Sequence, residues 1–274
     1  MGLITPILPY VHEGITLGAK REDHACFTSI MQASGAKVRQ YMSMCNKAHP
    51  AAPLVVGCSA HSCQQLYVAD AMQRTGRRGV VFVPARKEKT SATKFCESVG
   101  CEVHYVRPGH LSVVRKRARD YAKAYEGVAW DQQLAIEDTR IQAEAYTNSK
   151  TVYGRGSDRK IVLAVGSGAT MLGLLVGLVK DCCLDYNVLG VRVSGMCNPE
   201  KLLDKFVSIC GPVSVRGSID FVDSNPLDYT KPFYDRDPSM DPYYTAKALP
   251  FVGHNDLLWV TGRRQIGALE NLNG

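Results

Sequence analysis

The sequence predicts an α/β fold of two lobes, with mostly parallel sheets and helices on both faces. Short apolar segments rich in β-branched residues alternate with segments of helical spacing along most of the 274 residues, which is the order of repeated βαβ units. These apolar segments are nearly continuous, as is typical of parallel strands buried on both faces. With 45% hydrophobic residues, the chain can bury a large core and is not a disordered chain.

Strands and helices follow from residue type and spacing, taken in order along the chain. Seven short β-branched segments are predicted as strands: 15–17, 54–56, 80–83, 103–106, 161–165, 188–193 and 257–260. Six segments have helical spacing: 38–47, 63–75, 90–99, 111–125, 171–180 and 199–207.

The lobe boundaries follow from two stretches of the chain. Residues 53–108 hold three strands and two helices, a βαβαβ unit that could form a lobe by itself, and the polar segment 130–158 is rich in turn residues. We therefore expect a small lobe over residues 36–130 and a large lobe that combines 1–35 with 131–274. The segment 223–240 is dense in Asp, Pro and Tyr and is predicted to be an ordered loop or lid.

The ten cysteines form no C-x-x-C pair, which argues against a zinc ribbon or a redox dithiol. Most lie in apolar runs, for example Cys58, and Cys182 and Cys183 at the end of an apolar helix. We expect reduced, buried thiols and no metal site. Because no run reaches about 18 apolar residues, we expect a soluble cytoplasmic protein, in the host cytoplasm if the protein is viral, with no membrane partner.

The charge balance is positive, with 33 Lys and Arg against 26 Asp and Glu and a net charge of +7. Such a balance indicates either an anionic partner or only a basic surface.

The clearest local motif is a glycine-rich turn between the predicted strand 161–165 and an apolar helix. It consists of Gly166, Ser167, Gly168, Ala169 and Thr170. Unpaired N–H groups and the positive end of a helix dipole meet at such a turn, which favours phosphate. No lysine follows as in a Walker A loop, and Met171 replaces the third glycine of a dinucleotide motif. The motif therefore favours a small phosphate monoester, and a tight turn without a ligand is the alternative.

Two further clusters precede that loop. Lys37 lies at a predicted helix start near Arg39, where the local positive charge favours the neutral amine that attacks carbonyl carbons. Ser59 and His61 follow a strand, at the edge where open α/β sheets bind ligands. A solvated lysine and a helix-capping serine are the alternatives. No acid at a recognisable spacing completes a Ser-His-Asp triad.

A fourth motif, Asp-Pro-Tyr-Tyr-Thr-Ala-Lys, occupies 241–247. In this order the motifs resemble the fold type II pyridoxal-phosphate enzymes (tryptophan synthase beta-like), in the branch of aminocyclopropane-carboxylate deaminase and D-cysteine desulfhydrase. The family patterns Lys-Arg-Glu-Asp, Gly-Asn-Lys-x-Arg, Ser-Asn-His-x-x-Gln, Gly-Ser-Gly-Gly-Thr and Asp-Pro-Val-Tyr-Thr-Gly-Lys correspond to residues 20–23, 35–39, 59–64, 166–170 and 241–247. The resemblance spans nearly the whole chain.

The resemblance implies that pyridoxal 5'-phosphate is the cofactor and that Lys37 forms its Schiff base. It assigns the cofactor phosphate to Gly166, Ser167, Gly168, Ala169 and Thr170 and the pyridine nitrogen to Thr245. Ser59 and His61 would lie near the ring and the substrate carboxylate, and Tyr244 would reach toward the substrate. The implied protein is a homodimeric deaminase or lyase that acts at the α-carbon of a small free amino acid.

Three residues depart from the family pattern, since Ala36, Ala60 and Ala169 stand where the family has Asn, Asn and Gly. They leave the substrate open, and two alternatives remain. One is modification of an amino acid attached to a DNA base, for example decarboxylation, as in viral DNA hypermodification. The basic segments 74–78, 86–89 and 115–119 favour it, and Arg115, Lys116 and Arg119 are its candidate nucleic-acid contacts, although such segments are usually solvated.

The other alternative is a non-catalytic binding module that keeps the fold. The alanine at position 60 favours it, and the retained Lys37 opposes it.

Overall fold

A computed structural model describes residues 4–24, 33–149, 160–225, 227–228, 231, 233 and 240–264. It has the predicted α/β class, with mostly parallel sheets and helices. The chain divides into two compact units, which we call unit 1 (Met1–Ala25 and Gln132–Arg263) and unit 2 (Cys26–Asp131 and Arg264–Gly274). Within the described ranges, no helix is both long and apolar enough to cross a membrane.

The elements are given in chain order. The strands are β1 (Ile7–His12), β2 (Ile15–Arg21), β3 (Ala33–Gly35), β4 (Leu54–Gly57), β5 (Gly79–Pro84), β6 (Glu102–Val106), β7 (Val128–Ala129), β8 (Lys160–Val165), β9 (Cys183–Leu184), β10 (Asn187–Arg192), β11 (Ser214–Val215), β12 (Ile219–Asp223), β13 (Leu257–Val260) and β14 (Gly262–Arg264). The helices are α1 (Ala36–Lys47), α2 (Gln64–Thr75), α3 (Ser91–Ser98), α4 (Leu111–Ala124), α5 (Gln132–Asn148), α6 (Ala169–Leu178) and α7 (Pro199–Cys210). Two short 3-10 helices cover Glu22–His24 and Thr245–Phe251.

Unit 1 contains a six-stranded sheet in the order β1-β2-β13-β8-β10-β12. Strands β1 and β2 are antiparallel, and every other neighbouring pair in this sheet is parallel. The central strand β8 is almost wholly buried and leads into α6. The glycine-rich turn therefore lies at the carboxyl end of a central, buried strand of this sheet.

Unit 2 contains a four-stranded parallel sheet in the order β6-β5-β4-β7. One apolar face of α4 packs against this sheet, where Val114 and Ala118 join Val55, Val80 and Phe82 in a buried cluster. The opposite face of α4 is left to solvent.

Helix α5 occupies residues 132–148 of the polar segment 130–158, for which the sequence predicted no helix. The helix is polar in composition because it buries only a narrow stripe that includes Thr139 and Ala143. Gly173 and Gly177 let α6 approach that stripe: a Cβ at Gly173 would lie 2.4 Å from the carbonyl oxygen of Ile136. Prediction of a helix from sequence relies on a broad apolar face. Helix α5 lacks such a face and packs instead through close backbone contact with α6.

The interpretation of Cys182 and Cys183 as buried residues that end a helix is also wrong. Helix α6 ends at Leu178, and Cys182 is exposed in a turn where its φ is 61°. Cys183 is partly exposed and begins β9. Most of the predicted loop or lid at 223–240 lies outside the described residues.

Candidate functional site

The glycine-rich turn joins β8 to the first residue of α6, Ala169. Gly168 has a φ of +85°, so the backbone conformation favours glycine at this position, and a Cβ there would lie 2.7 Å from Cδ1 of Leu202. The first N–H groups of an α-helix have no partner within the helix, and the helix dipole is positive at this end. The turn from Gly166 to Thr170 can therefore receive an anion.

Tyr244, from a distant part of the chain, holds this turn in place. Its hydroxyl oxygen accepts a hydrogen bond of 2.8 Å from the Gly166 N–H. Burial raises the pKa of the Tyr244 phenol to about 12, although the Gly166 N–H acts in the opposite direction. The side chain is therefore a neutral phenol at physiological pH, able to donate a proton in a hydrogen bond and unable to act as a base.

Thr245 follows Tyr244 and begins the 3-10 helix Thr245–Phe251. Its side chain is 0% exposed, and its hydroxyl oxygen has no hydrogen-bond partner among the residues that the structure describes. Burying a hydroxyl without a partner costs about 1–3 kcal/mol, so the hydroxyl would be stabilised by a partner that the described residues do not supply. A hydroxyl can donate to an aromatic ring nitrogen, which is the group that pyridoxal phosphate would present, and the residues present therefore fit that cofactor.

Asp241 shapes the turn that carries these two residues. Its carboxylate accepts from the Tyr243 N–H at 2.9 Å and its carbonyl from the Ala246 N–H at 3.0 Å. Lys247 is 1% exposed and donates to the carbonyl oxygen of Asp228. Burial lowers the pKa of the Lys247 amine, and the carboxylates of Asp228 and Asp241 oppose this change. The hydrogen bonds of the turn thus explain the spacing between Asp241 and the residues that follow it in the motif.

Lys37 belongs to unit 2, where it is the second residue of α1. Gly35 precedes the helix with a φ of 139°, in the region that favours glycine. The Lys37 Nζ lies 4.8 Å from the centre of the Trp130 ring, and the indole N–H of Trp130 donates to Gln40 at 3.2 Å. The Trp130 ring thus lies next to the lysine amine, yet the sequence indicates Trp130 only as a lobe boundary. Its rarity, as one of two tryptophans, is the signal that could have found it.

Ser59 and His61 lie in the loop between β4 and α2, and both are partly exposed. The backbone anchors this loop: the carbonyl oxygen of Ala60 accepts from Gln65 Nε2 at 2.8 Å and from Thr90 Oγ1 at 2.9 Å. A side chain at position 60 is not needed for that anchoring. The alanine that replaces the family asparagine therefore leaves the loop fixed in place.

Two buried groups, one at each end of this loop, bear on its chemistry. Burial raises the pKa of the Cys58 thiol to about 12, with a nearby guanidinium, that of Arg115, acting in the opposite direction. The amide Nε2 of Gln64 is buried without a hydrogen-bond partner within the described ranges. Cys58 is accordingly a packed thiol, whereas Gln64 is a polar group that sequence reasoning included in a motif without a role.

The structure brings together one group of the predicted residues, the turn from Gly166 to Thr170 with Tyr244 and Thr245, within unit 1. Lys37, Ser59 and His61 belong to unit 2, at the start of α1 and in the loop after β4. The predicted nucleic-acid contacts Arg115, Lys116 and Arg119 lie on α4 of unit 2. Arg115 is partly buried beside the Cys58 loop, and burial lowers its pKa.

Several solved structures resemble this chain. An ACC deaminase homologue is 17% identical, with a TM-score of 0.68 over 94% of this chain and 89% of that chain. A fungal L-serine ammonia-lyase from Rhizomucor miehei is 14% identical, with a TM-score of 0.66 over 99% of this chain and 98% of that chain. A threonine deaminase isoform from Solanum lycopersicum is 12% identical, with a TM-score of 0.61 over 99% of this chain and 83% of that chain.

These proteins are fold type II pyridoxal-phosphate enzymes, so the predicted fold type is confirmed. No family model and no curated protein matches the sequence.

Proposed function

We propose that this protein is a pyridoxal-phosphate-dependent enzyme of the deaminase or lyase type, acting at the α-carbon of a small amino acid. The buried hydroxyl of Thr245, which has no partner among the described residues, is the observation that carries the proposal. A protein that kept the fold without the cofactor would gain stability by replacing this threonine with an apolar residue of the same shape. The solved structures with this fold include deaminases and an ammonia-lyase.

The residues of unit 1 would hold the cofactor by its two ends. The N–H groups of Ser167, Gly168, Ala169 and Thr170, with the dipole of α6, suit the phosphate, while the Thr245 hydroxyl suits the ring nitrogen. When bound, the cofactor supplies an electron sink for negative charge at the substrate α-carbon. Thr245 offers that nitrogen a neutral hydroxyl rather than a carboxylate, which favours elimination chemistry over reactions that need a fully protonated ring.

The remaining candidate residues would handle the amine, the proton and the substrate. Lys37 would carry the cofactor and move a proton at the α-carbon. Ser59 and His61 would contact the cofactor ring and the substrate carboxylate. Tyr244, a phenol with a pKa of about 12, would donate a hydrogen bond toward the substrate while its oxygen keeps Gly166 in place.

The cofactor can be tested without knowing the substrate. Purified protein incubated with pyridoxal phosphate should show the visible absorbance of a protein-bound Schiff base, and borohydride reduction should fix the cofactor to the peptide that contains Lys37. Lys37→Ala should abolish both signals. Lys47→Ala, at a lysine near the other end of the same helix, should leave both unchanged. Absence of the band in the wild-type protein, or its persistence in Lys37→Ala, would refute the proposal.

The reaction is then tested by release of ammonia and a 2-oxo acid from a panel of small D- and L-amino acids and 1-aminocyclopropane-1-carboxylate. Turnover that Lys37→Ala stops supports a deaminase or lyase. A bound cofactor with no turnover of any free amino acid would instead favour a carrier-linked substrate, to be tested with aminoacylated nucleotides and amino-acid-modified DNA for release of carbon dioxide. Inertness in every arm would leave a binding module. We also expect a homodimer, which sedimentation equilibrium would test.

A further inference from the structure

The net positive charge of this protein comes from one of its two units. Unit 2 has 17 lysines and arginines against eight aspartates and glutamates, a net charge of +9. Unit 1 has 16 against 18, a net charge of −2. A single bound phosphate monoester, which the proposed function assigns to unit 1, does not account for a cationic excess in unit 2.

Helix α4 contributes much of that excess in an ordered way. Its apolar residues Val114, Ala118 and Ala122 face the sheet of unit 2, so the positions of the opposite face project into solvent. Arg115, Arg119 and Lys123 are spaced four residues apart and therefore follow one another along one flank of the helix. We call these three residues the basic row. At a rise of 1.5 Å per residue, the row extends for about 12 Å.

The cations of the basic row have no ion-pair partner in the part of the chain that the structure describes. Among the described residues, Arg115, Arg119 and Lys123 form no ion pair, whereas Lys116 on the same helix pairs with Asp120 at 2.7 Å. The carboxylate of Glu102, on the adjoining strand β6, is also occupied, since it accepts from Arg78 at 2.8 Å and contacts His104 at 2.6 Å. Both of these carboxylates are thus already paired, and the row presents net positive charge to solvent.

The partial burial of Arg115 is a second observation that favours an anionic partner. Its guanidinium is partly buried against the loop that follows β4, and the Cα of Arg115 would lie 2.8 Å from a Cβ built at Gly57. The glycine thus lets α4 approach the end of β4 closely. A partly buried guanidinium without a carboxylate partner is costly, and a guanidinium binds phosphate oxygens in a bidentate manner. The first position of the row is therefore held in place for an anion.

We propose that the basic row of α4 binds the phosphate backbone of duplex DNA. One DNA strand carries a phosphate about every 3.4 Å along the helix axis, so about 12 Å of row faces three to four phosphates. Cations in a line suit such a regularly charged rod; Arg119 and Lys123 are exposed, and Arg115 is partly exposed. Lys116 lies outside the row and pairs with Asp120. This inference does not depend on the cofactor or on the reaction.

The test compares two matched double variants in binding to a fluorescein-labelled duplex oligonucleotide, followed by anisotropy. Arg119→Gln with Lys123→Gln removes two cations of the row. Lys201→Gln with Lys205→Gln removes two exposed cations at the same spacing on α7 of unit 1. All four positions are exposed, so both variants should keep the wild-type circular dichroism.

We expect the wild type to bind the duplex at low salt, and the α4 variant to bind at least about tenfold more weakly. The slope of log K against log salt concentration should fall by about 1.8, since each phosphate contact contributes about 0.9. The α7 variant should match the wild type in both quantities.

Three results would overturn the inference: no binding of the duplex at low salt, equal losses in the two variants, or an unchanged salt slope in the α4 variant. Binding of polyglutamate but not of the duplex through the same row would also overturn it, and would point to an acidic protein partner. Because none of these measurements uses pyridoxal phosphate, failure here and failure of the proposed function are distinguishable.

Discussion

Replacement of Thr245 by valine separates stability from cofactor binding. The hydroxyl of Thr245 is fully buried and has no partner among the described residues, so it costs the cofactor-free protein about 1–3 kcal/mol. Valine keeps the shape and removes the unpaired oxygen. We therefore expect Thr245→Val to raise the free energy of unfolding of the cofactor-free protein by about 1 kcal/mol or more, measured by urea denaturation.

The same substitution should weaken cofactor binding, because the ring nitrogen loses its hydrogen-bond partner. A hydrogen bond worth about 1.4 kcal/mol corresponds to a tenfold change in affinity, and pyridoxal phosphate should accordingly stabilise the variant less than the wild type. Thr139→Val is the matched control in unit 1: Thr139 is also buried, but its hydroxyl donates to Ala135 at 2.8 Å. That variant should lose about 0.5–1.5 kcal/mol. Destabilisation of the cofactor-free protein by Thr245→Val would refute the reasoning.

Three further outcomes follow from the packing and the charges. Gly173→Ala should lower the free energy of unfolding by about 1–3 kcal/mol, because its Cβ would overlap an α5 carbonyl; Gly195→Ala, with no atom within 4 Å of its Cβ, should change it by less than about 0.5 kcal/mol. Arg77→Ala should speed amide hydrogen exchange at the end of α1, because Arg77 donates to three carbonyl groups there. At pH 8 the thiol of Cys58, with its pKa raised to about 12 by burial, is about one part in ten thousand thiolate. Iodoacetamide should therefore label the exposed Cys182 before Cys58, as peptide mass spectrometry would show; labelling of Cys58 before Cys182 would contradict this.

The fold and the motif positions could be predicted because they depend on local patterns. All seven predicted strands and all six predicted helices are present, with ends displaced by a few residues. Helix α5 could not be predicted in this way, since its buried stripe is narrow and its partner, α6, supplies glycines rather than an apolar face. The edge strands β1 and β12 were also missed, because neither is a continuous β-branched run and neither alternates strictly between apolar and polar residues.

The sequence by itself determined the alternation of strands and helices, the glycine-rich turn before α6 and the order of the four motifs, since each of these is written in neighbouring residues. The tertiary structure alone decided that the Tyr244 hydroxyl holds Gly166, that Thr245 is buried without a partner among the described residues, and that no described acidic residue forms an ion pair with Arg119 or Lys123. The physical reason is that a hydrogen bond, a burial or an ion pair depends on which distant residues folding brings within a few ångströms. Spacing along the chain indicates which groups a residue could use, and packing decides which of them it meets.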